Sequence, residues 1–213
     1  APQLFLTAGH CTEPPAAHVE IWFDSDVTDA TLHDYPFTGD VGGTPYTHPD
    51  YDPNAFYLYD LGVVVLDEPV YMDVFGALPE LNQLDQYATR RGQNKVTFTA
   101  VGYGLQESFP DAASWKENNQ RVRMVAYPKL NQINTPGFTG DSSLLLSNNA
   151  HTGGTCFGDS GGPVFLDGEI VAVTSYGYTS NCRYLGGYQR IDIPVVRNWL
   201  LDCTADLVCP TKR

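Results

Sequence analysis

What most constrains this chain is its punctuation. Runs of β-branched and aromatic residues, each only a few residues long, are cut off by clusters of Gly, Pro, Asn and Asp: Val19–Phe23, Leu61–Leu66, Lys95–Gly104, Arg121–Tyr127, Ser142–Ser147, Gly162–Phe165, Glu169–Ser175 and Gly187–Ile191. Branched and aromatic side chains suit a pleated, half-buried surface, and the intervening residues favour turns, so each run predicts a strand. The spacing suits a sandwich or barrel rather than βαβ units. One helix is expected, at the C-terminal end. Pro194 can occupy its first turn, and Val195, Val196, Trp199 and Leu200 recur at helical spacing before Asp202. With 213 residues, the chain makes one large domain or two small ones, and a soft boundary falls in the polar stretch from Pro79 to Asn94.

Charge narrows the choice of partner. Residues 1–89 carry fifteen Asp or Glu and no Lys or Arg; the remainder holds all twelve basic residues and ten acids, for a net charge of −13. Nucleic-acid binding draws on counterions released by clustered Lys and Arg, and no such cluster exists. No run of about 18 apolar residues could form a transmembrane helix. The first residues lack the charged start and apolar stretch of a signal peptide. A soluble chain with neither nucleic acid nor membrane as partner is expected. The acidic stretch reads as solvated surface. Asp24, Asp26 and Asp29 are oxygen donors of the kind calcium prefers, but the glycine and terminal Glu of an EF-hand loop are missing.

Three segments far apart in sequence each contain a residue type needed for acyl transfer to a serine. Gly158-Asp159-Ser160-Gly161-Gly162-Pro163 follows Cys156 and Phe157. Glycine at 158 lets the backbone turn so that the amides of Gly158 and Ser160 can face one spot, where an oxyanion would need donors. Leu6-Thr7-Ala8-Gly9-His10-Cys11 is an apolar strand ending in a histidine, a group suited to take and return a proton near neutral pH. Asp60 opens the apolar strand Leu61–Leu66. A carboxylate there is costly unless paired, and orienting an imidazole would pair it. His18, His33, His48 and His151 sit in polar, turn-rich stretches and are expected at the surface or in loops. No His/Cys spacing resembles a zinc site.

These blocks, in this order, resemble the chymotrypsin/trypsin-like serine endopeptidases. The resemblance runs from about Leu4 to Trp199. It includes Thr7-Ala8-Gly9-His10-Cys11, His48-Pro49-Asp50-Tyr51-Asp52 leading to Asp60-Leu61, Val101-Gly102-Tyr103-Gly104, Gly158–Pro163, Ser175-Tyr176-Gly177 and Gly187-Tyr188. The chain order His, Asp, Ser matches that family and not subtilisins or α/β-hydrolases. The fold implied is all-β, two antiparallel β-barrels with a C-terminal helix: residues 1–85 for the first barrel, 86–193 for the second, 194–213 for the helix and tail. The activity implied is peptide-bond hydrolysis, with Ser160 as nucleophile, His10 as general base and then acid, and Asp60 holding His10 in the productive tautomer. The amides of Gly158 and Ser160 would form the oxyanion hole. A secreted monomer acting on protein or peptide substrates, with no cofactor and no metal, is expected. The alternative is a non-catalytic binding protein on the same fold; such proteins typically lose a triad residue, and here all three are present.

The resemblance also implies a specificity pocket with Gly154 and Thr155 at its base and Ser175-Tyr176-Gly177 and Leu185-Gly186-Gly187 as walls. No carboxylate occupies the base, where a trypsin-like enzyme pairs an aspartate with Arg or Lys. Gly177 and Gly186 leave the walls open, and Thr174 is not the histidine of glutamate-selective relatives. Cleavage after Phe, Tyr, Leu or Met is expected. Cys156 and Cys182 match the family's disulfide beside the nucleophile; Cys203 and Cys209 are a candidate pair outside the common pattern. That leaves Cys11. Members of the family place a few dozen residues before the catalytic histidine, including a strand that carries the partner of the next cysteine, whereas nine residues precede His10. The new N-terminus whose ammonium pairs with the aspartate before the nucleophile is missing as well. Asp159 is therefore expected to lack a partner, and the first barrel to be incomplete. A fragment of a longer protease or a natural short form would account for this, and the retained Cys11 favours the fragment.

Overall fold

The computed structural model describes residues 1–88, 95–106, 120–135 and 140–211. The last part of the expected boundary, residues 89–94, lies outside them. Two antiparallel sheets are each curled into a half-barrel, as the all-β reading anticipated. The first contains β1 (Leu4–Thr7), β2 (Val19–Ile21), β3 (Val41–Thr47) and β4 (Gly62–Leu66), in the order β1-β4-β3-β2. The second contains β5 (Thr99–Gly102), β6 (Met124–Ala126), β7 (Leu130–Thr135), β8 (Gly140–Asn148), β9 (Pro163–Leu166), β10 (Glu169–Gly177) and β11 (Tyr184–Arg190), in the order β6-β5-β9-β10-β11-β8-β7.

Sequence explains which strands are central. The β4 run Gly-Val-Val-Val-Leu is apolar on both faces and buried almost throughout, and it lies between β1 and β3. Strand β3 escapes the sequence reading because Val41-Gly42-Gly43-Thr44-Pro45-Tyr46-Thr47 is rich in turn formers. Its register tolerates the proline: β2 pairs only with Val41–Gly43, so Pro45 has a ladder neighbour on the β4 side alone. The far ends of the second sheet are drawn together by two backbone bonds, Phe98 N–H to Pro128 O (2.9 Å) and Leu130 N–H to Val96 O (2.8 Å). The outer edge of β1 has no partner strand among the described residues. The strand lines an apolar cavity of about 550 Å³ that the Gly158–Pro163 loop also lines.

The C-terminal helix α2 (Pro194–Asp206) runs one turn beyond Asp202 and ends where Leu207 turns left-handed and donates to Cys203 O. Val196, Trp199, Leu200 and Cys203 form its buried face. They pack with Leu61 and Val63 from β4 and its approach, Val173 from β10, and Ile191 and Ile193, so one core joins both sheets to the helix. His48, expected at the surface or in a loop, lies in the loop after β3 but is 2% exposed. Its ring lies 5.7 Å from Tyr59 and 5.0 Å from Trp199, and burial pushes its pKa down, which keeps it neutral within this aromatic setting. Among the described residues no helix is long and apolar enough to cross a membrane.

Candidate active site

Strand β1 ends in a short 3₁₀ turn, Gly9–Cys11, that turns His10 toward the entry to β4. Gly9 is there for lack of space: a Cβ would stand 3.1 Å from Leu61 N and O and 3.2 Å from Asp60 Oδ1. This close approach lets Asp60 grip the histidine twice. His10 N–H donates to Asp60 Oδ1 at 2.8 Å, and Nδ1–H donates to Oδ2 at 2.8 Å. The carboxylate is 1% exposed and takes a third bond, from Ser175 Oγ at 2.5 Å. Three donors around a buried carboxylate satisfy the requirement that made an aspartate at this position costly. The bond to Asp60, reinforced by one from the Cys11 side chain and opposed by burial, pushes the His10 pKa up to about 10.

Ser160 is exposed, and it lines the same cleft as His10, a space of about 400 Å³ between the two sheets. No hydrogen bond joins His10 to Ser160 among the described contacts. The loop around Ser160 is held by its other amides. Asp159 N–H bonds Cys156 O, Gly161 N–H bonds Thr174 O, and Gly162 N–H bonds Asp159 O. The amides of Gly158 and Ser160 have no acceptor among the described residues, which leaves two donors for a ligand. The turn needs glycine at two points, Gly158 (φ +97°) and Gly161 (φ +77°), where a side chain would be strained.

Asp159 departs from expectation. Its Oδ1 accepts from Gly104 N–H and its Oδ2 from Cys156 N–H, both at 2.8 Å. Burial pushes its pKa up while the two amides oppose the shift. The contact explains the glycines of Val101-Gly102-Tyr103-Gly104: a Cβ at Gly104 would stand 2.6 Å from the Asp159 carboxyl carbon, and one at Gly102 would overlap Oδ1. The partners of Asp159 are main-chain amides, not the ammonium found in activated members of the resembled family.

Of the eight residues expected to form the pocket's base and walls, Thr155, Ser175, Tyr176 and Gly177 line the cleft, together with Phe56 and Phe157. Gly154 and Gly186 are not brought to it. They face Asn148 and the Tyr188 hydroxyl, respectively. Thr155 Oγ1 lies 2.9 Å from that hydroxyl. Gly187 makes room for the Tyr176 ring, whose hydroxyl reaches Ser143 Oγ at 3.1 Å. Both expected disulfides are formed, Cys156–Cys182 and Cys203–Cys209, and Cys11 is exposed and outside any disulfide. Replacing Cys156 and Cys182 together with Ser should cost about 3–4 kcal/mol, because a cross-link spanning 26 residues restricts the unfolded chain. A lower midpoint in urea would register that loss; an unchanged midpoint would contradict it.

Among the described residues, no group of three His, Cys, Asp or Glu is gathered to hold a metal. The acids singled out as possible calcium ligands serve the backbone or a neighbour. Asp26 accepts from Thr28 N–H, Asp29 caps helix α1 (Ala30–His33), and Asp24 lies 3.1 Å from His33.

Known proteins place this geometry. Human kallikrein-8 is 26% identical over 203 residues, a match that covers 87% of this chain and 72% of the relative. Brachyurin from Leptuca pugilator is also 26% identical over 203 residues, covering 90% and 80%. A solved mutant of human heparin binding protein (CAP37) superposes with a TM-score of 0.69 at 16% identity, covering 99% of this chain and 85% of that one, a likeness of fold. The Trypsin family model matches residues 1–200, a span that includes the histidine, aspartate and serine segments, and the chain therefore belongs to the trypsin-like serine protease family.

Proposed function

We propose that the protein is a serine endopeptidase working through a covalent acyl-enzyme on Ser160. The observation that carries this reading is an imidazole anchored at both its main chain and its ring to a buried carboxylate, in the cleft that Ser160 also lines. Ser160 Oγ attacks the carbonyl carbon of the scissile bond as its proton passes to His10 Nε2. Asp60, bonded to Nδ1–H, stabilises the imidazolium and holds the tautomer in which Nε2 can accept. Charge builds on the carbonyl oxygen, where the amides of Gly158 and Ser160 can receive it; each such donor contributes about 10²–10³ in rate. The proton then moves from His10 to the departing amine, and water repeats the sequence to release the acid.

The lining of the cleft supports a substrate class. Among the described residues the cleft is lined by Phe56, Phe157 and Tyr176 and by no carboxylate, which favours a large apolar or aromatic residue before the scissile bond over Arg or Lys. Binding of a polyanion, as in the name of the heparin binding protein, is not carried over: with a net charge of −13 and no basic residue in 1–89, this chain would repel one. Two disulfides suit an oxidising, extracellular setting, and a secreted monomer is the matching state. A fluorophosphonate reporter tests the reading directly. Covalent labelling that maps to the peptide containing Ser160 is expected, and a folded protein left unlabelled would reject it.

A further inference from the structure

The Asp60 main chain is held across the molecule by a side chain that the mechanism does not use. Asp60 sits at the centre of a tight turn: Tyr59 is left-handed (φ +54°), and Leu61 N–H bonds back to Tyr59 O at 2.7 Å. In this turn the Asp60 N–H lies outside the β4 ladder, which begins at Gly62. Its acceptor is Gln189 Oε1, at 3.0 Å, from strand β11 of the other sheet, 129 positions away. The Gln189 amide nitrogen donates to Ser142 O (3.2 Å) and to Arg190 O (2.9 Å). The side chain is 2% exposed, and a buried amide is tolerated only when bonded in this way. Its two donor bonds are to main-chain carbonyls of the second sheet, so the acceptor oxygen is fixed relative to that sheet. Ser175 on β10 grips the Asp60 carboxylate from the same sheet.

We infer that Gln189 is a positioning residue: it fixes the main chain of Asp60 so that the carboxylate meets His10 squarely, tying alignment of the pair to docking of the two sheets. This rests on the serine-protease reading. Replacing Gln189 by Met keeps length and burial and removes the acceptor, so Asp60 is free to shift. A displacement of about 1 Å in such a constellation can cost 10²-fold. Gln189→Glu keeps an acceptor for the Asp60 amide, and a buried carboxyl that stays protonated can still donate to one of the two carbonyls.

The experiment compares wild type, Gln189→Met, Gln189→Glu and a control of similar burial away from the site, Val171→Ala, on a peptide amide substrate. For Gln189→Met, kcat should fall about 10–100-fold with KM within twofold, and the acid limb of kcat/KM should move down toward the ordinary histidine range as the His10–Asp60 bond loosens. Gln189→Glu should recover most of kcat. Val171→Ala should lower the unfolding midpoint while leaving kcat and the acid limb unchanged. The other groups near the pair, Cys11, Glu13, Tyr51 and Asp52, are common to all four proteins. Wild-type activity accompanied by an unmoved kcat and acid limb in Gln189→Met overturns the inference. If Gln189→Met does not fold, slow exchange of the Asp60 amide hydrogen in the wild type supports the inference, and exchange as fast as in an exposed loop overturns it. A folded wild type without activity or labelling overturns the protease reading instead, so the two failures are distinct.

Discussion

Ser160→Ala should lower kcat about 10⁶-fold, the loss seen when the nucleophile of another Ser-His-Asp enzyme is removed, while KM changes little. The expectation follows from what the alanine removes and what it leaves. The oxygen that forms the acyl bond is lost, but the amides of Gly158 and Ser160 remain without internal acceptors, and the walls of Phe56, Phe157 and Tyr176 are untouched. Substrate should still bind and polarise, which is why the residual rate should exceed the uncatalysed one by about 10³–10⁴. A second substitution, His10→Ala, made in the Ser160→Ala background should cost almost nothing more, because a base without its nucleophile has no proton to take. Burst kinetics with an active-ester substrate measure this most directly: one equivalent of acyl-enzyme per wild-type molecule, and none in the variant. A burst that survived in Ser160→Ala would move the chemistry to another residue.

How much of this was legible in the sequence depends on whether a residue declares its chemistry within a few positions. His10 and Ser160 do so, because the glycines beside them are required by the turn at Gly158 and Gly161 and by the close approach of Gly9 to Leu61. Asp60 does so as a carboxylate at the head of an apolar strand. Gln189 does not: its role depends on a partner 129 positions away, and in its own strand it reads as one polar residue among several. His48 lies in a loop as expected, but its burial is hidden by the polar neighbours Asp50 and Asp52, whereas packing on Trp199 places the ring inside. Tertiary contact decided both cases, and neither leaves a periodic trace.

The acidity of residues 1–89 also acquires a physical reason. Asp26, Asp29 and Asp52 accept backbone N–H groups two or three positions ahead, Asp40 accepts from Phe23 and Glu20 from Gly39. A half-barrel built from three- to seven-residue strands needs many turns, and short carboxylates are efficient acceptors for the amides that turns leave unpaired. Part of the negative charge is therefore a by-product of loop construction.

Asp60→Asn should lower kcat/KM about 10⁴-fold when each protein is compared above its own acid limb, the effect of this neutralisation in the archetypal triad, and should also change the pH profile. All three bonds to the carboxylate come from donors: His10 N–H on one oxygen, His10 Nδ1–H and Ser175 Oγ on the other. An amide offers one acceptor and one NH₂. If the NH₂ faces the main chain, it confronts the His10 N–H; if it faces the ring, it donates to Nδ1 and sends the proton to Nε2, the nitrogen that must be free to accept from Ser160. Either arrangement is wrong for catalysis. The sign of the pH effect follows from the same bonds. The base works only when neutral, so the wild-type rate should rise with pH through the elevated His10 pKa. Without the carboxylate that raises it, the acid limb should move down, toward about 6.5. Stability should respond in step. A histidine whose pKa is raised on folding contributes fully below the unfolded value, and this contribution is lost as pH climbs through the folded one. The wild type should therefore lose stability between about pH 6.5 and the elevated value, while Asp60→Asn should show little dependence on pH across that window. Matched pH–rate and urea-unfolding series measure both effects, and an acid limb that stays in place in Asp60→Asn would mean that Asp60 is not what tunes His10.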